Sequence, residues 1–263
     1  MGDRVNGSFL VIDSVTIRFG GILALNHVSF EVSEGEIFSL IGPNGAGKTT
    51  VFNCISRFYT PESGRILFCG NDLLSLKPDQ ICGLGITRSF QNVELFPHLT
   101  VSENIIIGLY SHFNYGLLAA LFRTSHVRCQ EKDHQTRVAK IMEFLGLSIY
   151  RNQKVSSLPF GLQKLVELGR ALVTNPKLIL LDEPASGMNQ AEKEMLTRII
   201  EQTGGSLKKS ILIVEHDMNF VMNISNRIAV LNFGEKIAEG TPDEIGRHPK
   251  VIEAYLGKGQ DLG

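Results

Sequence analysis

Gly42-Pro43-Asn44-Gly45-Ala46-Gly47-Lys48-Thr49-Thr50 has the form G-x-x-x-x-G-K-[ST], a pattern whose chemistry is phosphate binding. The glycines let the backbone turn sharply and approach a polyphosphate without Cβ clashes. Successive backbone N–H groups then make an anion-binding nest at the positive end of the following helix. Lys48 is expected to reach the β- and γ-phosphates, and the Thr49 hydroxyl to ligate Mg2+. Such a loop works only between a strand and a helix, and both are legible. Ile37 to Ile41 is a short apolar run, and Thr49 to Arg57 reads as a helix. Gly42 through Thr50 is therefore read as a nucleoside triphosphate cradle.

A second apolar run, Leu178-Ile179-Leu180-Leu181, ends in Asp182-Glu183-Pro184. A carboxylate that closes a buried strand downstream of a P-loop suits Mg2+, held by Asp182 directly or through water. Glu183, the next residue, then stands where it can orient and polarise an attacking water.

With these two stretches in hand, the chain resembles the ATP-binding subunits of ABC transporters, and the resemblance implies roles for further residues. That family carries a short signature, LSGGQ, at the head of a helix, and Leu158-Pro159-Phe160-Gly161-Leu162 occupies the matching place. Leu158 and Gly161 match; Pro159, Phe160 and Leu162 depart from the pattern. Pro159 brings neither a hydroxyl nor an N–H, though it suits the first turn of a helix. The N–H groups of Phe160, Gly161 and Leu162 can still point at an anion, with a dipole contribution of about 0.3–1 kcal/mol. Phe90-Gln91-Asn92 resembles the family's Q-loop, in which Gln91 would contact Mg2+ or the attacking water and shift with a membrane partner. Val214-Glu215-His216-Asp217 resembles its switch region, where His216 would hydrogen-bond the γ-phosphate; Asp217 also suits a helix cap. Ala185 to Asn189 falls at its D-loop, with Asn189 where Asp is frequent. Phe19 falls where the family stacks an aromatic on adenine, a contact of about 1–3 kcal/mol that reads no hydrogen-bond pattern. No Asn-Lys-x-Asp guanine reader occurs, so ATP is the expected nucleotide.

The surrounding elements must hold these residues in place. Residues 9–19 and 25–32 alternate as two half-buried strands around a Gly20-Gly21 turn, and a further strand covers Ser63 to Cys69. Lys77-Pro78-Asp79 opens a short helix, and Ile86 to Phe90 returns as a strand. The texture then turns helical: Ser102 to Leu109 with Ser102 as cap, Arg128 to Leu145, and Gln163 to Val173. Beyond Asn175-Pro176, Lys177–Leu181 and Ser210–Val214 read as strands buried on both faces of a mostly parallel sheet. Gly234-Glu235 marks a hairpin turn between Ile228–Asn232 and Lys236–Glu239. Pro242 to Leu256 carries two short helices separated by His248-Pro249. The fold expected is α/β: a P-loop core with a mostly parallel sheet, an antiparallel β subdomain and a helical insertion. The boundaries are 1–91 and 175–263 for the core and 92–174 for the insertion.

The totals exclude some classes. The chain has 263 residues, 43% of them hydrophobic, enough for a substantial core, and its formal net charge of −1 gives no basic footprint for nucleic acid. Cys54, Cys69, Cys82 and Cys129 are widely spaced, which favours reduced thiols over a metal or disulfide framework. The N-terminus lacks the apolar run of a signal peptide, and the longest apolar candidate, near Tyr115 to Phe122, is too short to span a bilayer. The protein is expected to be soluble and to serve a membrane only through a partner.

The runs Thr87 to Asn92 and Phe96 to Val101, the altered signature, and the ending Gly240-Thr241-Pro242 through Gly257 are most similar to the branched-chain amino acid importer ATPases. That resemblance implies two integral-membrane permease subunits, a second ABC ATPase subunit sharing the ATP sites, and indirectly a solute-binding protein. The place of work is the cytoplasmic face of the inner membrane. Importers of urea or short-chain amides share most of these features. An exporter ATPase, or a repair or translation ATPase with no transport role, remains a further alternative.

Overall fold

The computed structural model describes residues 9–89, 94–109 and 125–256. It divides into two compact units, Met1–Arg88 with Lys177–Gly263, and Ser89–Pro176.

The first unit holds two sheets. In the four-stranded antiparallel sheet, β1 (Leu10–Phe19) lies between β2 (Ile22–Val32) and β4 (Ser63–Phe68), and β5 (Asn71–Asp72) pairs with β4. The six-stranded sheet comprises β3 (Ile37–Ile41), β6 (Ile86–Arg88), β7 (Leu178–Asp182), β8 (Ser210–Val214), β9 (Arg227–Asn232) and β10 (Glu235–Gly240). Its order is β10-β9-β3-β8-β7-β6, parallel throughout except for the β10–β9 hairpin. All five residues of each of β3, β7 and β8 are buried, as their continuous apolar sequences require. Burying a Leu or Ile side chain stabilises the fold by about 1.5–3 kcal/mol.

Helix α1 (Lys48–Ile55) follows β3 and sends Val51, Phe52, Cys54 and Ile55 into a core shared with both sheets. Phe30 and Phe38 stack there with ring centroids 5.3 Å apart. Helix α2 (Pro78–Gly83) opens with Pro78 at its first position, as expected from Lys77-Pro78-Asp79.

The second unit packs α3 (Val101–Ile107), α4 (Ser125–Phe144) and α5 (Phe160–Leu172). The cap of α3 is Thr100, not Ser102. Thr100 accepts the Glu103 N–H, and Glu103 reaches back to the Thr100 N–H, a reciprocal pair that only this spacing permits. Helix α5 starts at Phe160, three residues before the expected Gln163, because Pro159 supplies the first helical carbonyl to the Gln163 N–H.

The remaining helices belong to the first unit: α6 (Gln190–Gly205), α7 (Met218–Ile224), α8 (Pro242–Gly246) and α9 (Pro249–Leu256). The turn between β9 and β10 is Phe233-Gly234, with Glu235 already in strand. Among the described residues, no helix is long and apolar enough to cross a membrane. The apolar run near Tyr115 to Phe122 lies outside them.

Candidate functional site

The strand order puts three loops side by side. β3 is flanked by β8, and β8 by β7, all parallel, so the segments leaving their C-terminal ends converge on one edge of the sheet. They carry Gly42–Thr50, Glu215–Asp217 and Glu183–Asn189.

The P-loop is held by backbone packing. Gly42 has φ +150°, and a Cβ there would stand 2.1 Å from the carbonyl oxygen of Leu231 in β9. Gly47, at φ +103°, would bring a Cβ to 2.7 Å from the Ala24 oxygen and from Leu25 in β2. Neither position tolerates a side chain. The Ala46 N–H closes the turn on the Pro43 oxygen at 3.1 Å, and the Gly234 N–H of the β9–β10 turn donates to the Ala46 oxygen at 3.1 Å. Asn44 and Gly45 are exposed in the loop, while Lys48 is buried, and Thr49 and Thr50 occupy the first turn of α1. The Lys48 ammonium donates to the Gly42 and Pro43 oxygens at 2.7 and 3.1 Å, so its charge is drawn into the loop.

Asp182 ends β7 and is 2% exposed. Its carboxylate accepts from the Arg88 guanidinium at 2.8 Å, and Arg88 donates also to Asn53 of α1 at 2.8 Å. The guanidinium lies 5.5 Å from the Phe52 ring centroid. The pairing of Arg88 with Asp182 and Asn53 has no signal in the sequence, since β6 is only the three residues Ile86-Thr87-Arg88. Glu183 adopts φ +47°, a left-handed conformation that a non-glycine residue takes at a cost of about 1–3 kcal/mol. Its N–H donates to the Val214 oxygen at 2.8 Å, which ties β7's exit to β8.

His216 leaves β8 with a half-exposed side chain. Its Nδ1 stands 3.6 Å from Glu183 and 3.7 Å from the buried Glu215. Asp217 caps α7 through the Phe220 N–H, and the Lys193 ammonium beside it holds its carboxyl below the ordinary 3.8. Asn189 caps α6 in a reciprocal pair with Glu192.

Phe19 closes β1 at the tip of the β1–β2 hairpin, half-exposed and edge-on to Tyr59 at 4.9 Å. The same hairpin touches the P-loop through Ala24 and Leu25. Leu158, Phe160, Gly161 and Leu162 lie in the second unit around the start of α5. There Leu158 is buried, Phe160 is exposed, and the Gln163 amide donates to the Leu158 oxygen at 2.9 Å. Gln91 lies outside the described residues, as do Phe90 and Asn92.

The oxygen donors Thr49 and Asp182 fit Mg2+, a hard cation that takes one or two protein oxygens and completes its shell with phosphates and water. Among the described residues no group of three or more His, Cys, Asp or Glu forms a dedicated metal cage. Cys54, Cys69 and Cys82 are free, and burial pushes the Cys54 thiol up to about 11, which leaves it unreactive at neutral pH.

Residues 25–186 match the family described as ABC transporter, and residues 235–261 match the branched-chain amino acid ATP-binding cassette transporter family. The high-affinity branched-chain amino acid transport ATP-binding protein LivG of Escherichia coli K12 is 43% identical over 249 residues, 95% of this chain and 98% of that one. BraF of Pseudomonas aeruginosa, of the same description, is 41% identical over the same shares. Among solved structures, the ADP conformation of an ATP-binding cassette of an ABC transporter superposes with a TM-score of 0.83 at 33% identity, covering 95% of this chain and 99% of that one. A dimeric cassette in a post-hydrolysis state, bound to ADP and phosphate, gives 0.74 at 26% identity, covering 89% and 98%.

Proposed function

The chain belongs to the ABC transporter family of ATP-binding cassettes, and from that premise we propose that it is the ATP-hydrolysing subunit of an importer for branched-chain amino acids. The observation that carries the hydrolytic part is the convergence of the P-loop, Asp182-Glu183 and His216 at the ends of three adjacent parallel strands. The match of residues 235–261 and the 43% identity to LivG support the solute class.

In this reading Gly42 to Thr50 cradle the phosphates of ATP through backbone N–H groups and Lys48, and Phe19 stacks on the adenine. Thr49, Asp182 and Gln91 would hold Mg2+, which neutralises charge on the phosphates when bound. Glu183 orients and polarises the attacking water, and His216, 3.6 Å from it, hydrogen-bonds the terminal phosphate. Leu158, Phe160, Gly161 and Leu162 serve the ATP site of a second ABC subunit, whose own signature completes this one. Two permease chains receive the motion, and a solute-binding protein delivers the amino acid at the far face of the inner membrane.

Glu183→Gln is expected to bind ATP with near-normal affinity while kcat falls at least about 100-fold, the range general-base removal produces. Near-normal turnover would remove Glu183 from that role. Uptake of labelled leucine, isoleucine, valine and urea, measured in cells with and without the chain, tests the solute. Loss of urea uptake alone would move the assignment to the amide importers. Co-purification with ribosomes or DNA in place of permease chains would sink the transport reading.

A further inference from the structure

Glu215 is a buried carboxylate to which the hydrolytic reading assigns no task. Its side chain is 1% exposed. One carboxylate oxygen accepts the Ala185 N–H at 2.9 Å; the other accepts the His216 N–H at 2.9 Å and, more weakly, the Asp217 N–H at 3.4 Å. The second oxygen also stands 3.7 Å from His216 Nδ1, which lies 3.6 Å from Glu183. An ionised carboxylate in this setting loses several kcal/mol of hydration, and convergent N–H donors are what offset such a loss.

The donors come from two different loops. Ala185 sits in the turn that begins with the strained Glu183, where the Ser186 N–H closes on the Glu183 oxygen at 3.1 Å. His216 and Asp217 leave β8 toward α7. One buried anion therefore joins the exit of β7 to the exit of β8 at the point where Glu183 and His216 diverge from the sheet.

We propose that Glu215 is a positioning residue for ATP hydrolysis, holding the Glu183 turn and the His216 loop in register so that Glu183 addresses the attacking water and His216 the phosphate it attacks. The proposal rests on the reading of Glu183 and His216 as hydrolytic groups. Its chemistry requires both carboxylate oxygens to accept. A glutamine has the same shape but a single acceptor oxygen, so its NH2 group would confront an N–H donor on one of the two loops.

The test is a double-mutant cycle in the chain assembled with the second ABC subunit whose signature completes its site, with ATPase kinetics, ADP affinity and thermal melting measured for wild type, Glu215→Gln, His216→Ala and the pair. Glu215→Gln is expected to lower kcat about tenfold or more, the scale of small misplacements near reacting groups. KM for ATP and ADP affinity should stay within about twofold, because the P-loop is untouched. The double variant should be no slower than His216→Ala alone, since two residues acting through one step do not add. Full kcat in Glu215→Gln, or losses that multiply in the pair, would overturn the proposal. Full kcat in His216→Ala would instead overturn the hydrolytic reading beneath it. Should Glu215→Gln melt too early to assay, the same cycle is run with Glu215→Asp. That change keeps the charge but withdraws it from both loops by one methylene, and the same outcomes decide.

Discussion

Arg88 carries its charge at the end of a three-residue strand and spends it on Asp182, Asn53 and the ring of Phe52. Removing one partner of a buried pair leaves the other charge uncompensated, at a cost of about 3–5 kcal/mol. Arg88→Met is accordingly expected to lose that much unfolding free energy in a urea titration. A loss below about 1 kcal/mol would mean that Asp182 is satisfied by other groups. Residues such as Gly42–Thr50 and Asp182-Glu183 were legible because their chemistry is written in consecutive positions. Arg88 and Asn53 were not, because their partners come from other strands and helices (Arg88 and Asp182 stand 94 residues apart), and Glu215 was not, because the Ala185 N–H reaches it from a distant loop. Glu183's left-handed backbone was equally hidden, since nothing in Asp-Glu-Pro announces a positive φ.

At the scale of elements, apolar runs and proline placement mark the strands and α2, while the cap of α3 lies two residues before the expected Ser102. Ser102 and Thr100 are both cap-forming types, and the choice between them depends on which has a carboxylate three positions on. Thr100 has Glu103, with the Thr100 N–H to Glu103 bond at 2.8 Å. Thr100→Ala should therefore cost about 1 kcal/mol in a denaturant titration, and Ser102→Ala only a few tenths. Equal losses would show that the reciprocal pair does not govern this end. Helix α6 is hidden in the sequence for a different reason. Its inner face is the narrow set Leu196, Ile199, Ile200 and Thr203, at helical spacing but embedded among charged residues. The hairpin turns at Phe233-Gly234, one residue before the expected Gly234-Glu235, because Phe233 takes a φ of +46° against the preference that points to glycine first.

Over the whole molecule, Gly42–Thr50 lies in one compact unit while Leu158–Leu162 lies in the other. The cradle residues form a connected set. In the importer we propose, Leu158–Leu162 keeps a helix start but presents Pro159 and an exposed Phe160 to the partner's ATP site. On that proposal the two ATP sites of an assembled pair are unequal wherever the partner's signature is intact.

The packing around the P-loop has a kinetic consequence. Leu231 and Ala24 crowd Gly42 and Gly47, Gly234 holds Ala46, and Lys48 is anchored on the loop's own oxygens. A mould already cast has little ordering left to do when the nucleotide arrives. Stopped-flow binding of a fluorescent ATP analogue should give single-exponential traces whose rate climbs in proportion to concentration. A rate that levels off would expose a slow rearrangement before capture, and with it a loop less finished than its packing implies.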